Sequence, residues 1–155
     1  MTNTIEGGDK APDFKMETTA GGEVSLSDFA GEKLVLYFYP KDDTPGCTKE
    51  AIAFTGHADA FAKAGAKILG VSKDTLAKHE KFRAKHDLGI HLASDADGAV
   101  CEAYGVWVEK KMYGKTYMGI ERATFLIGGD GKVEQVWRKV KVNGHAEAVL
   151  DAIQG

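Results

Sequence analysis

A continuous apolar and aromatic run extends from Leu34 to Tyr39 and stops at Pro40. The run is too short for a helix and does not alternate with polar residues, so it predicts a central β-strand that is buried on both faces. The segment AKILGVS, at 66–72, predicts a second buried strand. Upstream, residues 16–26 predict a short hairpin with Gly21-Gly22 in its turn.

Segments with helical spacing alternate with these strands. Residues 45–64 carry apolar side chains on one face and end before Gly65, which predicts a helix. Residues 75–86 predict a second, more polar helix, and residues 90–106 a short strand followed by a short helix. A last helix has an apolar face made of Ala146, Val149, Leu150 and Ile153.

Two further strands are predicted at 120–127 (IERATFLI) and 132–140 (KVEQVWRKV), joined by the turn sequence GGDG. The order of elements predicts an α/β protein with a thioredoxin-like fold: a central mixed sheet flanked by helices, with an N-terminal β-hairpin. Because no repeat, low-complexity tract or linker interrupts the pattern, we expect one domain over residues 1–155.

Composition excludes several classes of function. The net charge is −3 and the lysines are scattered, so no nucleic-acid partner is expected. No apolar run approaches the ~20 residues of a membrane-spanning helix, and the N-terminal residues lack the features of a secretory signal. Two cysteines more than fifty positions apart form neither a disulfide framework nor a zinc site. We therefore expect a cytoplasmic protein with free thiols and without metal or cofactor.

Cys47 is the candidate for chemistry. With Thr44 as N-cap and Pro45 as the first helical residue, Cys47 is the third residue of the predicted helix. Its sulfur then lies beside unpaired backbone N–H groups and the positive end of the helix dipole, a setting that favours the reactive thiolate. Cys47 also lies four residues before Ala51 on the apolar face, so a packed core cysteine is the alternative.

The residues around Cys47 limit the kind of nucleophile. His57 lies ten residues along the same helix, about 15 Å away by helical rise, and cannot act as its base. The other four histidines, His79, His86, His91 and His145, have no partnering motif and are interpreted as solvated. The sequence CTKE has Glu50 where a dithiol motif has its second cysteine. A lone activated thiolate that attacks a weak O–O bond remains.

The segment PKDDTPGCTKEA resembles the active-site segment of the peroxiredoxins, whose pattern Pro-x-x-x-Thr-x-x-Cys is filled by Pro40, Thr44 and Cys47. The longer FYPKDDTPGCTKEA looks like the bacterioferritin comigratory protein, or peroxiredoxin Q, branch. The resemblance also covers APDF, GVSKD, LASDADGAVCEAYGV and GIERATFLI. It implies a thiol-dependent peroxidase that reduces hydrogen peroxide and organic hydroperoxides.

The resemblance also implies a role for each matching residue. Cys47 corresponds to the peroxidatic thiol, Thr44 to the hydroxyl that binds sulfur and peroxide, and Pro40 to a shield against water. Arg122 corresponds to the arginine that stabilises the thiolate and the developing oxyanion. The alternative for this arginine is an exposed strand residue paired with Glu121 or Glu134.

Two more residues match the substrate-binding part of the pattern. Gly46 contributes a backbone N–H to the site, together with that of the peroxidatic cysteine. Glu50 matches the glutamate of the family's first helix, although a glutamate early in a helix is ordinarily a surface residue.

The resemblance departs from the family pattern at the resolving cysteine. The position five residues after Cys47, where the branch often has this cysteine, is Ile52. Cys101 is the other thiol, interpreted either as a core residue or as a resolving cysteine reached by local unfolding. A one-cysteine cycle is favoured, in which an external thiol (thioredoxin, glutaredoxin or glutathione) reduces a sulfenic acid at Cys47. A monomer is expected.

Two other functions remain open at this level. A redox sensor or thiol-regulated binding protein would use the same Cys47, with turnover incidental. A scaffold domain would keep Cys47 as a packed core thiol.

Overall fold

The computed structural model describes residues 5–154. Residues 1–4 and 155, the ends of the predicted domain, lie outside that range. The strands are β1 (Lys15–Thr18), β2 (Glu23–Ser25), β3 (Lys33–Phe38), β4 (Ala66–Ser72), β5 (His91–Ser94), β6 (Trp107–Met112), β7 (Lys115–Ile120), β8 (Ala123–Ile127) and β9 (Val133–Trp137). The helices are α1 (Pro45–Gly56), α2 (Ala58–Lys63), α3 (Leu76–His86), α4 (Ala99–Ala103) and α5 (His145–Gln154), with a short 3-10 helix at Leu26–Phe29.

Seven strands form one mixed sheet in the order β2-β1-β5-β4-β3-β8-β9. The central strand β3 pairs in parallel with β4 and antiparallel with β8. Its side chains alternate between two cores: Leu34, Leu36 and Phe38 pack on one face, and Val35 and Tyr37 on the other. The predicted central strand, buried on both faces, is confirmed, as is the N-terminal hairpin of β1 and β2.

The two cores place the helices on opposite faces of the sheet. Core residues of α1, α2, α3 and α5 belong to the cluster that contains Val35 and Tyr37. Core residues of α4 belong to the cluster that contains Leu34 and Phe38. Cys47 and Cys101 are therefore in different cores, separated by the sheet. None of the helices within residues 5–154 is long and apolar enough to cross a membrane.

Three predicted boundaries were wrong. The helix expected over 45–64 is two helices, because the backbone leaves helical geometry at His57 (φ −108°, ψ 6°). The strand expected at 120–127 is the end of β7 and all of β8, with Glu121 and Arg122 between them. The strand expected at 132–140 extends only over Val133–Trp137.

The hairpin of β6 and β7 was not predicted. It forms a separate two-stranded sheet in which Trp107 pairs with Ile120 and Met112 with Lys115. Its tight turn is Tyr113-Gly114, both with positive φ (53° and 76°). Seven of its twelve strand residues are exposed, among them Met112, Tyr117 and Met118, so its sequence lacks the apolar pattern of a core strand. The hairpin matters for the site because Arg122 follows it directly.

Candidate active site

Cys47 is the third residue of α1, as the sequence predicts. Thr44 occupies the N-cap position with extended backbone geometry (φ −92°, ψ 155°), and Pro45 begins the helix. The Thr48 N–H donates to the Thr44 carbonyl at 2.9 Å, so the N–H groups of Gly46 and Cys47 precede the helical hydrogen-bond ladder. The thiol is free and only 2% of the residue's surface is exposed.

Thr44 does not cap the helix with its side chain, contrary to expectation. Its hydroxyl donates instead to the Lys41 carbonyl at 2.9 Å. This hydrogen bond joins two residues of the loop that leads from Pro40 into α1. Since the hydroxyl proton is committed to Lys41, the Thr44 oxygen presents its lone pairs to other donors.

Arg122 reaches Cys47 from the two-residue link between β7 and β8. Its Nη2 lies 3.4 Å from the Cys47 Sγ, and its Nη1 donates to the Glu50 Oε1 at 2.7 Å. Among the described residues, Arg122 is the only side chain that donates a hydrogen bond to this sulfur. The alternative partners are engaged elsewhere: Glu121 lies 3.5 Å from Arg138, and Glu134 lies 2.7 Å from a lysine of β3.

Glu50 is buried, which contradicts the alternative of an ordinary surface glutamate. Only 1% of the residue is exposed, and its Oε2 has no hydrogen-bond partner among the described residues. Burial raises the pKa of the Glu50 carboxyl to about 7, against the lowering effect of Arg122. The carboxyl group fixes one edge of the guanidinium and leaves the other edge to the sulfur.

Glu50→Gln is expected to change the pH dependence of stability. The pKa of Glu50 is raised from 4.5 to about 7 on folding. The contribution of its protonated carboxyl to the free energy of unfolding is therefore fully present below pH 4.5 and is lost as the pH rises through 7. The shift corresponds to about 3 kcal/mol. Urea unfolding at several pH values should show the variant gaining stability relative to wild type between pH 4.5 and 7.5. A difference in stability that does not change with pH would contradict the raised pKa of Glu50.

Gly46 brings the backbone of α1 against the guanidinium. A Cβ built at Gly46 would lie 3.2 Å from the Arg122 Nη2, closer than ordinary van der Waals contact. The residue has ordinary helical geometry, so only this contact opposes a larger side chain. The absence of a side chain at position 46 therefore lets the guanidinium reach the sulfur.

Gly46→Ala is expected to displace Arg122 by a few tenths of an ångström without unfolding the helix, since alanine has the higher helix propensity. We expect a several-fold slower reaction with peroxide, by loss of alignment, with thermal stability unchanged or slightly higher. Stopped-flow rates and thermal unfolding measured on the same sample check both parts. An unchanged rate would show that the contact relaxes without effect on the sulfur.

Pro40 is exposed at the end of the central strand and forms one wall of a groove of about 330 Å³. Trp107, Met118 and Lys110 line the groove from the β6–β7 hairpin. Burial and the charge of Arg122 lower the pKa of the Lys110 ammonium, whereas Cys47 raises it. The groove therefore lies between the loop that leads into α1 and the hairpin that leads to Arg122, and it combines apolar walls with positive charge.

Cys101 occupies a different environment from Cys47. It is fully buried in the opposite core, and its backbone N–H donates to the Asp95 Oδ2 at 2.8 Å. Burial, followed by the Asp95 carboxylate, raises the pKa of the Cys101 thiol well above its ordinary value. In the folded protein this thiol remains protonated and unreactive.

Two histidines expected to be solvated are buried. His79 has no exposed surface and His145 is 6% exposed. The His145 Nε2 lies 2.8 Å from the Thr124 hydroxyl, and burial lowers the pKa of His145 to about 4, so it is neutral at physiological pH. Burial was missed because each ring finds its partner in a segment far along the chain. His91 is exposed, as expected.

Comparison with known proteins decides the family. The AhpC/TSA family model matches residues 7–136, a span that contains Cys47 and Arg122. The chain belongs to the AhpC/TSA family. A putative peroxiredoxin Bcp of Coxiella burnetii is 52% identical over 147 residues, which cover 95% of this chain and 97% of that protein. Peroxiredoxin Bcp of Escherichia coli is 44% identical, with 96% of each chain covered.

Solved structures confirm the thioredoxin-like fold. Xanthomonas campestris peroxiredoxin Q superposes with a TM-score of 0.87 at 51% identity, covering 91% of this chain and 89% of that one. Xylella fastidiosa PrxQ superposes with a TM-score of 0.92 at 39% identity, covering 98% and 97%. The predicted peroxiredoxin Q resemblance is confirmed. This peroxiredoxin is a thiol-dependent peroxidase that acts on peroxides with a thiol reductant.

Proposed function

We propose that Cys47 is the peroxidatic thiol of this peroxidase. The observation that carries the proposal is the Arg122 guanidinium, held 3.4 Å from the Cys47 Sγ by its hydrogen bond to Glu50. A fixed positive charge beside a buried sulfur stabilises the thiolate, and the thiolate is the form that attacks peroxide. The position of Cys47 in the first turn of α1 adds the helix dipole in the same sense.

In the proposed reaction, the Cys47 thiolate attacks one oxygen of the hydroperoxide and the O–O bond breaks. The sulfur is oxidised to a sulfenic acid that keeps the attacked O–H group, and the other oxygen leaves with the O–O electron pair as an alkoxide or hydroxide, which takes a proton from the solvent to give an alcohol or water. The Arg122 guanidinium stabilises the charge that develops on the departing oxygen. The Thr44 hydroxyl donates its hydrogen bond to the Lys41 carbonyl, so its oxygen is free to accept a hydrogen bond from the peroxide O–H and to orient the peroxide.

The remaining residues shape the site around these atoms. The N–H groups of Gly46 and Cys47 add donors at the helix start, and Glu50 positions the guanidinium. Pro40, which lines the groove, is proposed to shield the sulfur from water on that side. Organic hydroperoxides are proposed as substrates beside hydrogen peroxide: the groove has apolar walls, and a bacterioferritin comigratory protein of X. campestris, 50% identical, is described as having alkyl peroxide reduction activity.

We propose that the cycle uses one cysteine. Ile52, at the usual resolving position, cannot form a disulfide, and Cys101 is a buried thiol in the opposite core. One external thiol then condenses with the sulfenic acid, releasing water, and a second displaces Cys47 as a free thiol and leaves an external disulfide. Thioredoxin, glutaredoxin and glutathione are the proposed donors, acting on a monomer in the cytoplasm.

Intact mass after one equivalent of hydrogen peroxide tests the one-cysteine cycle. Gain of a single oxygen atom is expected, reversed by an added thiol. Loss of two hydrogens within one chain would instead assign a resolving role to Cys101, and a covalent dimer would show that a thiol of a second chain resolves the sulfenic acid. If the mass does not change although the protein still turns over peroxide with a thiol donor, then no sulfenic acid accumulates in the absence of thiol. The predicted gain of oxygen would then be wrong.

A further inference from the structure

A buried acid–base pair links the active-site loop to α3. Asp42 lies two residues after Pro40 and is 9% exposed, and His79 in α3 is completely buried. The His79 Nδ1 lies 2.6 Å from the Asp42 Oδ2. The peroxidase chemistry described above uses neither residue.

Both nitrogens of the His79 ring face acceptor atoms. Nδ1 meets the Asp42 carboxylate, and Nε2 lies 2.9 Å from the Ala93 carbonyl oxygen. A carbonyl and a carboxylate only accept hydrogen bonds, so each ring nitrogen needs a proton of its own. The other Asp42 oxygen is occupied by the Tyr39 hydroxyl, which donates to it at 2.6 Å.

A second carboxylate strengthens the requirement for positive charge. The Asp74 Oδ2 accepts from the Asp42 backbone N–H at 2.8 Å and from the Ser72 hydroxyl at 2.7 Å. One carboxylate oxygen each of Asp42 and Asp74 and one ring nitrogen of His79 all lie within 4.8 Å of one another. Lysines at 41, 78, 81 and 85 line the adjoining groove, but none forms an ion pair with Asp42, so a neutral imidazole would leave this buried carboxylate without a cationic partner.

The pair fixes the loop that leads into α1. Asp42 holds the loop to α3 through His79, and Asp43 holds it a second time through Lys85 and His86 at 2.7 and 2.8 Å. The second attachment is partly exposed and so contributes little. Asp43 has a positive φ of 60°, so the loop needs its anchors to keep this shape.

Asp42 and Cys47 act on one buried group in common, the Tyr37 hydroxyl. Burial raises the pKa of the Tyr37 hydroxyl, and the negative charges of Cys47 and Asp42 are among the groups that raise it further. Both negative groups therefore act on the same buried phenol. Without compensation, the carboxylate charge opposes a second negative charge on the sulfur.

We propose that His79 is a positioning residue of the peroxidase: a buried imidazolium that anchors the Pro40–Thr44 loop through Asp42 and balances the charge of that carboxylate. The inference rests on the proposed role of Cys47 as peroxidatic thiol. The sequence motif around Cys47 gave no sign of it, because His79 is 32 residues beyond the cysteine on a polar helix.

Nitrogen NMR of the intact, 15N-labelled protein tests the charge state directly. Both ring nitrogens of His79 are expected to carry protons at neutral pH, with the signals assigned by their loss in His79→Gln or by through-bond correlations in the wild type. A neutral tautomer, with one unprotonated nitrogen, would overturn the imidazolium. This measurement does not depend on whether Cys47 is the reactive thiol.

The kinetic test compares His79→Gln, Asp42→Asn and the double variant. We expect His79→Gln to slow single-turnover oxidation of Cys47 by about tenfold. The double variant has no unpaired charge but also lacks the anchor, so it is expected to recover only part of the loss. His86→Gln is the matched control, because it removes an imidazole that binds the same loop at the surface; its rate should stay within about twofold of wild type.

The outcomes distinguish failure of the positioning role of His79 from failure of the proposed role of Cys47. A folded His79→Gln with the wild-type rate overturns the positioning role, as does a double variant no faster than the single one. Should His79→Gln fail to fold, Asp42→Asn, which keeps the ring, is expected to slow oxidation of Cys47, and a wild-type rate there also overturns the role. Peroxidase activity that survives Cys47→Ser would remove the proposed function, while leaving the NMR result interpretable.

Discussion

Cys47→Ser is expected to reduce peroxide consumption to the background rate, a loss of at least roughly a thousandfold. A serine hydroxyl is not ionised at neutral pH, and its oxygen forms no stable oxidised product equivalent to a sulfenic acid. The fold should be preserved, because serine is close to cysteine in size and the neighbouring apolar residues of α1 remain. Steady-state peroxide consumption with a thiol donor provides the measurement.

Cys101→Ser is the matched control for this loss. Cys101 is equally buried, but it lies in the other core with its thiol held protonated. Its replacement is expected to lower stability and to leave the rate with peroxide essentially unchanged. Loss of turnover in Cys101→Ser with normal sulfenic acid formation at Cys47 would contradict the one-cysteine cycle. Retained turnover in Cys47→Ser would contradict the assignment of the nucleophile.

Arg122→Ala is expected to slow the reaction of Cys47 with peroxide by roughly a hundredfold to a thousandfold. The change removes the only described side-chain donor to the sulfur and leaves Glu50 buried without its partner. Both effects oppose negative charge at the site. Stopped-flow fluorescence of the two tryptophans during a single turnover gives the rate of oxidation without interference from the reductant.

Two variants sharpen this prediction. Arg122→Lys keeps the charge but cannot hold Glu50 and the sulfur with two separate nitrogens, so we expect an intermediate rate. Arg138→Ala removes a guanidinium that pairs with Glu121, the residue next to Arg122, and should change the rate less than about fivefold. A wild-type rate in Arg122→Ala would show that the guanidinium does not act on the sulfur.

Local sequence was sufficient for the start of α1 and for the central strand. Thr44, Pro45 and Cys47 lie within four residues, and the backbone preferences of N-cap and proline determine where the helix begins. Residues Leu34–Phe38 carry apolar side chains at every position, and only a strand between two layers buries them all. In both cases the information lies within one turn or one strand.

The contacts that complete the site depend on segments far apart in the chain. Arg122 meets Cys47 across 75 residues, and the resemblance to peroxiredoxins, not a pattern near the arginine, identified it. His79 and His145 were interpreted as solvated, and a surface position was the alternative for Glu50, since charged and imidazole side chains are mostly exposed. Each is buried with a hydrogen bond to a distant partner: Asp42 for His79, Thr124 for His145 and Arg122 for Glu50.

The hairpin of β6 and β7 shows a further limit of pattern analysis. Its strands are held by pairing with each other and by a Tyr-Gly turn, and they bury few side chains. Periodicity detects burial, so a solvated ribbon of this kind gives no signal. The consequence for the site was specific: Arg122 lies in the link after the hairpin and not within a long strand.

The most direct test of the account is the site of oxidation. The native protein is treated with one equivalent of hydrogen peroxide in the presence of a sulfenic-acid-specific carbon nucleophile, digested and analysed by peptide mass spectrometry. The account predicts the adduct on the peptide that contains Cys47, with Cys101 unmodified. An adduct confined to Cys101, or an unmodified Cys47 in protein that has consumed the peroxide, would contradict it.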